Sequence, residues 1–390
     1  MPHRVRSAAV WGGRKVLSVS GEAGEIPGLD PAVDRAPLTR ARWGRRSPDR
    51  PRAGESGDQG GPTYAALDLG TNNCRLLVAR PAGDGFRVVD AFSRIVRLGE
   101  GVSLSGRLSE AAIQRAVGAL AVCRAKMKNR GVTRARLIAT EACRAAENGA
   151  EFRDRVANEL GLVLEVIDRE TEARLAATGC TPLIDPQAEG VVLFDIGGGS
   201  SELVRLDRSQ STRHGPPLPR IRGWVSLPTG VVTLAERHGG INVTRESYEA
   251  MVVEVGGYIA PFLREHGEGG THGIHMLGTS GTVTTIAGVH LDLKRYDRNR
   301  VDGCWMSTAE IAGVVDRLLA MSYEERVASP CIGPDRADLV LAGCAILEAI
   351  RRAFPCPRLR VADRGLREGM LVQMMRDDGV WGSGGQAAAG

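Results

Sequence analysis

The stretch that most limits what this chain can fold into runs Val191-Val192-Leu193-Phe194-Asp195-Ile196-Gly197-Gly198-Gly199-Ser200-Ser201-Glu202-Leu203-Val204. An apolar run of the buried kind ends at an aspartate, breaks over three glycines and two serines, and resumes as Leu203-Val204-Arg205-Leu206. This is the pattern of two strands joined by a tight turn. With no Cβ at Gly197, Gly198 or Gly199, backbone N–H groups can come close to a bound anion. Ser200 and Ser201 add hydroxyl donors. Asp195 and Glu202 place carboxylates at the two rims, where a divalent cation bridging to phosphate needs oxygen ligands. A plain hairpin is the rival reading, but it needs one or two residues tolerant of positive φ, not three with acids on both sides. The phosphate-loop reading is preferred.

A weaker copy lies upstream, Ala65-Ala66-Leu67-Asp68-Leu69-Gly70-Thr71-Asn72-Asn73-Cys74-Arg75-Leu76-Leu77-Val78. It repeats the plan of apolar strand, Asp, apolar residue, Gly, small polar residues and apolar strand. Two such stretches point to a duplicated fold with two phosphate loops, one around Gly70, Thr71 and Asn72, facing one cleft. The 390 residues are enough for two domains with real cores.

Read in order, residues 1–62 are rich in Gly, Pro, Arg, Ser and Asp without periodicity, and the reading is a disordered extension. They hold eleven Lys/Arg against seven Asp/Glu, or +4 of the net +5, so the body is nearly neutral and no general nucleic-acid binder. A first domain is expected over 63–185, a second over 186–378 and a flexible tail over 379–390. Ser109 is a fitting N-cap for a helix to about 129, with Ile113, Val117, Leu120 and Ala121 on one face. Strands over 135–139 and 162–167 deliver Arg144 and Glu172 at their carboxyl ends, where α/β sheets bind ligands. Residues 207–220 read as an inserted loop. The run Gly278-Thr279-Ser280-Gly281-Thr282 between a strand and a helix offers a further phosphate position through Gly278, Ser280 and Gly281, although a simple N-capped helix has the same look. The basic segment 294–300 reads as a solvated loop, with guidance of a polyanion as the lesser alternative. Eight cysteines show no C-x-x-C and no zinc spacing, and read as small buried residues in a reducing cytosol. No apolar run approaches membrane-span length, and the N-terminus has no signal-peptide core.

From the residues alone Glu172 divides evenly between a solvated first-turn glutamate and a general base, and Arg144 between a surface ion pair and a phosphate clamp. From about residue 63 to 376 the chain resembles the exopolyphosphatase / guanosine pentaphosphate phosphohydrolase family, within the actin–Hsp70–sugar kinase superfamily. The motifs are Asp68-Leu69-Gly70-Thr71-Asn72, Val96-Arg97-Leu98-Gly99-Glu100-Gly101, Thr140 to Asn148, Glu172-Ala173-Arg174-Leu175, Asp195 to Glu202, Gly278 to Thr282, and Gly365-Leu366-Arg367-Glu368-Gly369. The family usually has two adjacent glutamates before Ala-Arg-Leu, whereas Thr171 precedes Glu172 here. The resemblance implies an α/β fold of two ribonuclease-H-like (actin-like ATPase) domains around a central cleft. It implies hydrolysis of the terminal phosphoanhydride of polyphosphate, or of the 5′-phosphate of guanosine pentaphosphate. A sugar-type kinase and a non-catalytic sensor are the weaker alternatives. Glu172 is then the catalytic carboxylate, Arg144 a phosphate clamp, and Asp195, Glu202 and Asp68 the acids for Mg²⁺ or another divalent cation. No specific nucleic acid and no membrane are expected, a cytoplasmic location is, and a homodimer stays open.

Overall fold

A computed structural model of the chain describes residues 61–210, 215–266 and 273–381. They all belong to one compact unit, Arg40–Gly390. The expected extension up to residue 60, and the tail beyond 381, lie outside the described residues. The first half runs β1 (Tyr64–Leu69), β2 (Asn73–Ala82), β3 (Gly85–Ile95), α1 (Val102–Ser105), α2 (Glu110–Asn129), β4 (Arg134–Ala139), α3 (Glu141–Ala145), α4 (Gly149–Leu160), β5 (Glu165–Val166) and α5 (Arg169–Cys180). The second runs β6 (Gly190–Ile196), β7 (Ser201–Gln210), β8 (Leu218–Leu227), α6 (Val231–His238), α7 (Arg245–His266), β9 (Ile274–Thr279), α8 (Gly281–His290), α9 (Arg298–Val301), β10 (Trp305–Ser307), α10 (Thr308–Ala320), α11 (Tyr323–Ala328), α12 (Val340–Ala353), β11 (Arg358–Ala362) and α13 (Leu366–Asp377).

The two halves build the same sheet twice. One has the order β3-β2-β1-β4-β5, the other β8-β7-β6-β9-β11 with β10 added at the edge. In each, two antiparallel pairings are followed by two parallel ones. The duplication expected from the paired Asp-x-Gly stretches is therefore a duplication of topology. Strands β1 and β6 lie mid-sheet with both faces covered, which is why each reads as a nearly unbroken apolar run. Ser109 caps α2, accepting from the Ala112 N–H at 3.2 Å, and the buried stripe is Ile113, Ala116, Leu120, Cys123 and Met127, while Ala121 faces out.

Two expectations need correction. Much of 207–220 is strand, because β7 continues to Gln210 and β8 starts at Leu218. β8 is an edge strand, and an edge tolerates the proline at 219. The segment 294–300 is not simply a solvated loop: Tyr296 and Arg298 line the central cleft, and Arg298 pairs with Glu368 at 3.1 Å.

Helices α5 and α13 cross between the sheets. Ala173, Ala177 and Cys180 of α5 pack on Val191, Leu193 and Val204 of the second sheet, while Met370, Leu371 and Met374 of α13 pack on Tyr64, Ala66 and Ile138 of the first. Val380 and Trp381 continue this second cluster, with Trp381 Nε1 donating to Gly83 O at 3.1 Å. A second tie joins the halves at the rim, where Arg97 grips Asp338 with bonds of 2.8 and 2.9 Å.

Candidate active site

The parallel strands β1, β4, β6, β9 and β11 end at the cleft between the sheets. Asp68 stands near the end of β1, Thr140 and Glu141 follow β4, Asp195 closes β6, Thr279 and Ser280 end β9, and Asp363–Arg367 follow β11. Together they line a cavity of about 540 Å³. In the β1–β2 hairpin Asp68 lies opposite Arg75; at the matching place in the β6–β7 hairpin Asp195 lies opposite Glu202. The same turn thus supplies a cation from one half and a second carboxylate from the other.

The glycines of the second loop follow from contact between the halves. A Cβ at Gly198 would stand 2.9 Å from Thr71 Cβ, and one at Gly199 would stand 2.9 Å from Thr71 Oγ1 and 3.1 Å from Glu141 Cγ. None of Gly197, Gly198 and Gly199 has a positive φ, so turn geometry alone does not call for them. The loop's carbonyl oxygens are taken by α6: Val231 N–H donates to Gly197 O at 2.9 Å and Val232 N–H to Gly198 O at 2.8 Å. Gly70, Thr71, Asn72, Gly197, Gly198, Gly199, Ser200, Ser280 and Gly281 line the cavity. Asn72 Oδ1 and Asn73 Oδ1 are buried there without a hydrogen-bond partner among the described residues. Ser280 holds φ 113°, a left-handed value unusual for a serine, while its Oγ accepts from Thr282 N–H at 3.2 Å to start α8.

Three expected phosphate ligands stand elsewhere. Gly278 lies inside β9, where a Cβ would meet the Phe194 ring at 2.6 Å, so packing explains it. Ser201 is fully buried and donates to Thr229 O at 2.8 Å. Arg144 stands behind the cavity wall, not on it. Its Nε and Nη2 donate to Glu141 Oε2 at 2.9 and 2.6 Å, Nη1 to Ile167 O at 2.6 Å, and Nη2 also to Glu172 Oε2 at 3.1 Å. All three of its nitrogens are occupied within the protein.

Glu172 sits in the first turn of α5, which Asp168 caps by accepting from Thr171 N–H at 2.7 Å. Burial, then the charge of Glu202, pushes its carboxyl well above the usual carboxylate range, against the pull of Arg144. Burial also raises Glu202, with Asp195 adding and the Ser226 hydroxyl opposing through a 2.8 Å bond. Burial lifts Asp195 to about 6, opposed by Arg75 and reinforced by Asp68. Asp68 is likewise raised by burial, with Arg75 and Arg367 opposing.

Facing these acids are arginines to which the sequence reading gave no role. Arg75, Arg336 and Arg367 line the cavity. Among the described residues neither Arg75 nor Arg367 has a carboxylate within 4 Å. Burial lowers the pKa of Arg336 and Arg367; Glu368 opposes this at Arg367, and the charge of Arg75 lowers both further. Guanidinium groups held in a concave site without a direct ion pair can meet the oxygens of a polyanion. A signal was present: Arg367 stands in the quoted Gly365–Gly369 motif, and Arg75 occupies the place of Glu202 in the weaker copy.

Among the described residues no three His, Cys, Asp or Glu side chains form a ready metal cluster. The site nevertheless fits a cation shared with substrate. Asp68 and Asp195 open onto the cavity, and among the described residues neither has an ion-pair partner within 4 Å. A magnesium-like ion takes one or two carboxylates and completes its shell with water and phosphate oxygens.

Known proteins share this sequence pattern and fold. A profile of the Ppx/GppA phosphatase family matches residues 77–378. Exopolyphosphatase 2 of Mycobacterium tuberculosis is 27% identical over 325 residues, covering 80% of this chain and 98% of that protein. The crystal structure of the Aquifex aeolicus Ppx/GppA family member superposes with a TM-score of 0.66 at 29% identity, over 81% of this chain and 98% of the other. An exopolyphosphatase from Cytophaga hutchinsonii shares the fold, with a TM-score of 0.73 at 23% identity over 81% and 98%.

Proposed function

The chain belongs to the Ppx/GppA phosphatase family, and we propose that it is an exopolyphosphatase, releasing orthophosphate from the end of inorganic polyphosphate. The observation that carries this reading is the pairing, in one cavity, of the half-buried Glu172 carboxylate with the arginines Arg75, Arg336 and Arg367. Hydrolysis of a phosphoanhydride needs neutralised phosphoryl oxygens, an oriented water and an in-line path. The arginines and the two loops bind the terminal phosphates. Glu172 takes a proton from the water that attacks the terminal phosphorus. The new P–O bond forms as the bridging P–O bond breaks, and the shortened chain leaves as the anion. A carboxyl raised by burial is a stronger base once ionised, which suits it to this proton. Phosphatases of this family generally use divalent cations. Here Asp68 and Asp195, with Glu202 beside Asp195, would hold Mg²⁺ or another such ion, which when bound neutralises phosphoryl charge. The eight free cysteines suit a reducing, cytoplasmic setting. Among the described residues no helix is long and apolar enough to cross a membrane.

A second reading, the same cut at the 5′ end of guanosine pentaphosphate, draws on Tyr296. This ring lines the cavity, is 42% exposed, and offers a face to a nucleoside. Initial phosphate release from long polyphosphate and from guanosine pentaphosphate, measured side by side, separates the two. In the same assay Glu172→Gln is expected to lower turnover by about 10²–10⁴-fold with polyphosphate binding retained. Turnover near the wild-type rate would remove Glu172 from the role of base.

A further inference from the structure

Glu141 is the first residue of α3, just after β4, and lines the cavity with only 14% of its side chain exposed. A bare carboxylate there would repel a polyanion. It is not bare: Oε2 accepts from Arg144 Nε and Nη2, and Oε1 accepts from Arg169 Nη2 at 2.8 Å. Arg144 reaches Glu172 in turn, so four side chains form one line, Arg169–Glu141–Arg144–Glu172, with formal charges that cancel. Arg144 is held by Glu141 at 2.6 and 2.9 Å and by Ile167 O at 2.6 Å, and extends to Glu172 at 3.1 Å. A guanidinium is a rigid planar fork, so two anchors on different sides define its plane and its third direction follows. Without Glu141 the Nε side of the fork is unheld, and only the Ile167 carbonyl and the Glu172 carboxylate that is itself to be positioned remain.

We propose that Glu141 is a positioning residue for the hydrolysis, fixing the Arg144 guanidinium so that Arg144 sets the Glu172 carboxylate toward the attacking water. The Gly199 turn seals the arrangement from the other side, since the missing Cβ leaves room for Glu141 Cγ. This rests on the reading of Glu172 as the base.

The test is a double-mutant cycle on long polyphosphate, reading kcat and KM separately together with melting temperature. Misplacing a reacting group by about 1 Å can cost about 10²-fold, so Glu141→Ala should lower kcat tenfold to a hundredfold with KM within about twofold. Glu141→Gln, which keeps an acceptor oxygen, should fall between it and the wild type. In an Arg144→Ala background, Glu141→Ala should cost nothing further, because the two act as one unit. If Arg144→Ala does not fold, Arg144→Lys, which keeps the charge but loses the fork, takes its place. Losses that multiply independently would overturn the proposal. So would a raised KM with unchanged kcat, or a lowered melting temperature with unchanged kcat. Failure of the underlying reading looks different: Glu172→Gln would then turn over near the wild-type rate, whatever the cycle shows.

Discussion

At the scale of single residues the site is governed by what stands next to what. Gly198 illustrates this. From the sequence its glycine answers to a bound phosphate; in the structure Thr71, more than a hundred residues away, occupies the space a Cβ would need, at 2.9 Å, with the Asn72 nitrogen at 3.2 Å. A β-branched residue would collide with the opposite loop before any substrate arrived. Gly198→Val is therefore expected to separate the two loops, costing about 1–3 kcal/mol of stability as overpacking does and lowering kcat/KM at least tenfold. Melting temperature and polyphosphate kinetics check it; loss of activity with an unchanged melting temperature would instead favour a purely phosphate-facing glycine.

At the scale of elements, the crossing of α5 and α13 joins the halves. Glycine inside a helix costs about 1 kcal/mol relative to alanine, yet Gly179 and Gly369 stand inside these two. A Cβ at Gly369 would lie 2.0 Å from Leu175 O, and one at Gly179 would lie 1.9 Å from Gly365 O. The helices touch backbone to backbone, and no rotamer change relieves such a clash. At the start of α13, Glu368 is 1% exposed, accepts from Gly365 N–H at 2.9 Å and pairs with Arg298, so the turn that presents Arg367 is tied down. Gly369→Ala, a substitution that helix propensity alone would favour, is expected to destabilise by about 1–3 kcal/mol or more. An equal or raised melting temperature would show that the crossing can yield.

At the scale of the whole molecule, folding gathers carboxylates that an unfolded chain would keep apart. Asp195 rises from 3.8 to about 6, mainly through burial. A carboxyl raised in the fold binds more protons in the native state than in the unfolded one. Its contribution to stability is present at low pH and is lost as pH climbs through that window. Asparagine resembles the protonated form at every pH. With chelator present, Asp195→Asn should match the wild type near pH 4 and exceed it by a few °C above pH 6. Added divalent cation should close the gap by stabilising only the wild type. A difference that does not change with pH would show that Asp195 is not strained by ionisation.

The local signals carried far. An apolar run ending in Asp and small residues marks a buried strand and its turn by short-range rules alone, so both hairpins, the duplicated plan, the Ser109 cap, the positions of Asp68, Asp195 and Glu202 at strand ends and that of Glu172 at a helix start were legible. Contacts between distant elements were not. Arg144 has the residue type of a phosphate clamp, but only the approach of α3 to α5 shows its nitrogens already taken by Glu141, Ile167 and Glu172. Gly278 and Ser201 carry the same letters as loop residues and are spent on Phe194 and Thr229. Arg75 and Arg367 look ordinary in a strand and a helix until the fold leaves them facing one cavity, with no ion-pair partner within 4 Å among the described residues. Backbone pattern depends on neighbours along the chain, and sequence determines it. The availability of a side chain depends on which partners reach it first in space, and only the tertiary structure decides that.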